Sequence, residues 1–69
     1  MANIEPSEDE LILDALRKRP GLPTYVVANS IGARGQTARI RRRLRRLEEH
    51  GLVRSGSDIY ATMICWWAR

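Results

Sequence analysis

Between Ala15 and Leu47 the sequence contains no aspartate or glutamate; all eight acids of the chain lie before or after that window. A stretch this long without a negative side chain cannot neutralise its own cations locally. One cysteine, Cys65, excludes an internal disulfide, and one histidine, His50, excludes a zinc site of Cys and His ligands. A reducing, cytoplasmic setting without a metal is therefore expected. No apolar run approaches the ~20 residues of a membrane span. The acidic opening "MANIEPSEDE" has no basic segment leading into an apolar run, so neither a membrane partner nor an export signal is expected. Catalysis lacks a constellation as well. No basic sequence neighbour activates the Cys65 thiol, and His50 has no nucleophile or metal to serve, so no enzyme, catalytic residue or cofactor is expected. Internal repeats and linkers are absent too. The 69 residues make one domain, 1–69, with 1–6 expected to be disordered. A domain of this size buries only roughly 60% of its unfolded surface, so its core must be small.

What fills the acid-free window is cation. Arg17, Lys18, Arg19 and Arg34 precede "RIRRRLRR", residues 39 to 46, and the net charge of +4 with a pI near 10.2 suggests a polyanionic partner. Ser7 and Glu10 have capping-box spacing, so a first helix is predicted from Ser7. Acids lie at its positive end and Arg17 to Arg19 at its negative end; Leu11 or Ile12, with Ala15 and Leu16, form the buried stripe. Pro20-Gly21 ends it. A second, short helix is predicted with Thr24 as cap, Val27, Ala28 and Ile31 inward and Gly32 as a left-handed stop. The connector "ARG" leads to a third helix starting near Gln36 or Thr37, burying Ile40, Leu44 and Leu47 and ending at His50. Two short helices joined by a tight turn form a helix-turn-helix. Gly51 is placed for a Schellman stop that brings Leu52 back to Leu47. The period then changes, and "LVRSGSDIYATMICWWAR" reads as an antiparallel hairpin turning at "SGSD".

At 100° per residue, Ala38, Arg42 and Arg45 point away from the core, Arg39 and Arg46 lie to one side, and Arg41 and Arg43 flank the apolar seam. A solvated helix would pair opposite signs at i,i+4, and the middle of this one has no acid to pair with. Several arginines also sit toward the end whose dipole is already positive. An external polyanion would offset that repulsion, and a helix N-terminus is itself an anion site. Nucleic acid is the partner this favours. A membrane-surface or groove-binding helix would carry a broader apolar face than this narrow seam. An unstructured arginine tract for RNA or nuclear targeting would need no leucine phasing.

The run "TYVVANSIGARGQTARIRRRLRRLEEHGLVRSGSDIYATM" resembles the winged helix-turn-helix domains of small prokaryotic, archaeal or phage transcriptional regulators, such as the MarR-like and ArsR-like groups. Val27-Ala28 and Ile31-Gly32 match their first-helix Leu-Ala and Leu-Gly, and "RRLEEHGLV" is similar to the end of their recognition helix. The resemblance implies an α+β fold, a three-helix core with a C-terminal two-stranded antiparallel wing. It implies sequence-specific binding of double-stranded DNA by a nucleoid-associated regulator acting as a repressor, without an evident small-molecule effector. The alternative is a winged-helix adaptor for RNA or protein. By the same resemblance, Gln36, Thr37, Arg39 and Arg42 read bases; Arg34, Arg41, Arg43, Arg45 and Arg46 contact phosphate, and Arg54 accompanies the wing. Arginine forks also imply some preference for guanine.

The last strand carries one more expectation. By parity Ile59, Ala61, Met63, Cys65 and Trp67 share one face, and Tyr60, Thr62, Ile64, Trp66 and Ala68 the other. Neither is polar. A strand apolar on both faces needs a cover from outside the chain, which predicts a homodimer through the C-terminal strand, with Met63, Cys65 and whichever of Trp66 and Trp67 points outward as its candidate interface residues.

Overall fold

The computed structural model describes residues 7–57 and 63–69; the expected disorder of 1–6 and the parity assignments of Ile59, Tyr60, Ala61 and Thr62 lie outside them. The chain runs α1 (Glu8–Lys18), β1 (Leu22–Pro23), α2 (Thr24–Ser30), α3 (Thr37–Glu49), β2 (Val53–Ser57) and β3 (Ile64–Ala68). This is the expected α+β arrangement of three helices and a C-terminal antiparallel hairpin. One strand goes beyond that expectation. Leu22 and Pro23 pair with Trp66 and Cys65, so the sheet has three strands in the order β1-β3-β2. A two-residue strand containing proline has no period for a sequence pattern to reveal.

Ser7 caps α1 by accepting the Glu10 N–H at 3.2 Å, and the first turn holds Glu8, Asp9 and Glu10. The buried stripe is Ile12 and Leu16; Leu11 is exposed, which resolves the choice between Leu11 and Ile12. Helices α2 and α3 end by the same device. Gly32 and Gly51 take φ of 78° and 76°, and the following N–H groups turn back, Ala33 to the Ala28 carbonyl at 2.8 Å and Leu52 to that of Leu47 at 3.0 Å. Gln36 N–H then closes a turn onto the Ala33 carbonyl at 3.0 Å, delivering the chain into α3. Among the described residues no helix is long and apolar enough to cross a membrane.

Two expectations change here. Thr24 is the first residue of α2, with Pro23 at the cap position, and its hydroxyl is turned inward to accept from Trp66 Nε1 at 2.9 Å. The hairpin does not turn at "SGSD": Ser55, Gly56 and Ser57 continue β2, opposite Trp66, Cys65 and Ile64. Serine and glycine are turn formers in isolation, but here tertiary packing decides. A Cβ at Gly56 would stand 3.1 Å from Cζ3 of Trp67, so glycine gives that indole room to lie on the strand.

Within β3 the parity holds, with Trp66 facing inward and Cys65 and Trp67 the other way. Trp66 is fully buried in the core with Ile12, Leu16, Val27, Ile40, Leu44 and Val53. On the opposite face Trp67 lies against Gly21 and Gly56, and the Arg54 guanidinium stacks 4.5 Å from its ring centroid. Cys65, on that same face, is 7% exposed. Cys65 and Trp66 are therefore interior residues, and their assignment to a dimer interface is corrected. Met63 remains exposed and Trp67 half-buried.

Candidate nucleic-acid interface

Helix α3 exists because three apolar residues at 40, 44 and 47 pack on one seam, and every other position is free to be polar. Its six arginines then divide by direction. Arg41, Arg42, Arg45 and Arg46 are exposed, whereas Arg39 and Arg43 are half-covered by the N-terminus of α1. There Glu8 forms ion pairs with both: its Oε1 takes Arg39 Nη1 and, at 2.8 Å, Arg43 Nε. Asp9 Oδ1 accepts from Arg43 Nη1 at 3.0 Å. The hydrogen bond to Asp9 is the main cause that raises the Arg43 pKa above its ordinary value, against an opposing cost of burial. The expectation that the middle of α3 has no acid to pair with is thereby corrected: the helix has none before Glu48, and two arrive from α1.

The opposite flank is built differently. Glu48 accepts from the Ser55 backbone N–H at 3.0 Å and from its hydroxyl, fixing the C-terminal end of α3 to β2. Thr37 and Arg41 line a cleft shared with Tyr25, Met63 and Ile64, between the start of α3 and the start of β3. Among the described residues no carboxylate comes within 4 Å of the Arg41, Arg42, Arg45 or Arg46 guanidinium.

The residues expected to read bases are thus spread around the N-terminal half of the helix. Gln36 is exposed, and its Oε1 accepts from Arg39 Nε at 2.6 Å. Thr37 faces the wing-side cleft, and Arg42 stands outward between two grooves, one formed with Arg39, Arg43 and Arg46, the other with Arg41, Arg45, Arg46 and Glu49. Arg34 is exposed in the turn before α3, and Arg54 is occupied by Trp67 on the outer face of the sheet. Sequence reasoning missed Glu8, Asp9 and Tyr25. The acids were assigned wholly to the α1 dipole; the signal that could have placed them is the sharp segregation of acid and base along the chain.

No family model and no curated protein matches this chain. Among solved structures, it is similar to the PcaV transcriptional regulator from Streptomyces coelicolor, crystallised with its natural ligand, at a TM-score of 0.81 and 23% identity. The match covers 94% of this chain and 45% of that one, so this chain spans less than half of its neighbour's length. At that identity the likeness establishes the fold, a winged helix-turn-helix, with α2 and α3 as the two helices of the motif and β2–β3 as the wing.

Proposed function

We propose that this protein binds double-stranded DNA sequence-specifically as a small winged-helix transcriptional regulator. The observation that carries the reading is the outward face of α3: four arginines with no carboxylate within 4 Å among the described residues, on the second helix of a helix-turn-helix, in a fold shared with a transcriptional regulator. With that helix in the major groove, Gln36, Thr37, Arg39 and Arg42 address base edges, and Arg34, Arg41, Arg43, Arg45, Arg46 and Arg54 address phosphates. Arginine suits both tasks, because its planar fork matches guanine O6/N7 as well as a phosphate.

Two copies acting together would span two half-sites about one helical turn apart, and this geometry is the support for a homodimer. Of the residues expected at its interface, Met63 and Trp67 are the ones with surface to offer. We assign the regulator repression by occupancy of its site, in the cytoplasm and on the nucleoid. The test is selection of sites from a randomised duplex library with purified protein. Recovery of one motif, as an inverted repeat if two copies cooperate, is the expected result. Enrichment of no duplex overturns the reading in favour of an adaptor for RNA or protein.

A further inference from the structure

The side chains between α1 and α3 form one continuous chain of charge-assisted hydrogen bonds. Asp9 holds Arg43, Arg43 holds Glu8, and Glu8 holds Arg39, which donates its Nε–H to Gln36. Each link is between a planar group and a partner that fixes its plane. A guanidinium has five N–H donors, and Arg39 spends its Nε–H and one Nη1–H here. The other Nη1–H and both Nη2–H groups remain. One donor from each Nη is the end-on pair that a guanine edge accepts through O6 and N7. Arg39 is therefore engaged through two of its donors and keeps three, enough for a two-point contact to a guanine edge.

We propose that Glu8 is a positioning residue for sequence recognition: it presents Arg39 to a guanine in the major groove, and Arg43 with Asp9 keeps Glu8 in place. The inference rests on the DNA-binding reading above. Two effects follow from the same carboxylate. An arginine already ordered loses less freedom when it docks on a base, which favours the correct site. A fixed negative charge beside the groove also repels phosphate, which weakens binding to every duplex alike. Glu8 thus raises discrimination by ordering Arg39 and lowers affinity overall by its charge, so removing it should tighten binding while blunting selection. A residue that only stabilised α1, or one that only masked charge, would not separate the two duplex classes.

The test compares wild type with Glu8→Gln, first by parallel selection from a randomised duplex library, then by anisotropy on the recovered duplex and a shuffled one at fixed salt. In Glu8→Gln the shuffled duplex is expected to bind about two- to fivefold tighter, from the lost repulsion. Discrimination is expected to fall about fivefold or more, the low end for one bidentate arginine–guanine pair, concentrated at one G position. Arg39→Ala should lose the same position, and Glu8→Gln should change discrimination no further in that background. Asp9→Asn, which loosens the chain one link earlier, should shift both quantities the same way but less, and it serves if Glu8→Gln does not fold. An equal gain on both duplexes, or unchanged discrimination, overturns the inference while leaving DNA binding intact. Failure of the wild type to enrich any duplex overturns the DNA-binding reading, and this one with it.

Discussion

The two flanks of α3 are fixed by different physics. On the wing side the anchors are a fully buried Trp66, its hydrogen bond to Thr24, and the Glu48 carboxylate on Ser55. On the α1 side they are ion pairs among side chains that keep a quarter or more of their surface in water. Packing holds one flank and charge the other. The first contribution is indifferent to salt and costly to remove; the second is weak in stability, screened by salt, and placed where a polyanion would compete for the same guanidinium groups. A helix of nearly uniform composition thereby acquires two unlike sides, one rigid and one open to exchange.

Trp66→Ala should erase the packed side, costing about 3–5 kcal/mol in a urea melt, and so leave a domain of this size largely unfolded. Thr24→Val keeps the shape and deletes the acceptor, stranding a buried indole N–H; a loss of about 1–3 kcal/mol is expected, unchanged between low and high salt. Affinity sharpens the comparison further. With about five phosphates neutralised, log K should fall against log salt with a slope of about −4 to −5. Arg45→Ala should reduce that slope by about one, and Arg43→Ala by clearly less, because Glu8 and Asp9 already neutralise Arg43. Equal reductions would mean that the ion pairs do not persist in solution. Smallest is the coupling in a Glu8–Arg43 double-mutant cycle, expected at about 0.2–1 kcal/mol in dilute buffer and near zero in concentrated salt.

The packed flank was the more legible in the sequence. Ile40, Leu44 and Leu47 repeat at helical spacing, and Gly32 and Gly51 punctuate the helices where left-handed backbone is needed, so the helices and the existence of the wing follow from local pattern. What the pattern misjudged depends on distant contacts. Serine and glycine at 55–57 read as a turn until Trp67 is seen lying on Gly56, and Thr24 reads as a cap until Trp66 claims its hydroxyl. The outer face of β3 reads as bare apolar surface until Cys65 is seen to be buried and Arg54 to stack on Trp67. The charged flank was half-legible: composition reveals an excess of arginine and a deficit of acid, but only the crossing of α1 over α3 tells which arginines are engaged.

The sheet's two borders carry a consequence for how copies of this chain can meet. On one border β1 is two residues long and one of them is Pro23, which has no amide proton to offer. On the other, the Ser55 amide points outward and is already taken by Glu48. Among the described residues, β1 is too short to template an added strand and the middle of the β2 border is already engaged, so strand addition at these edges is disfavoured.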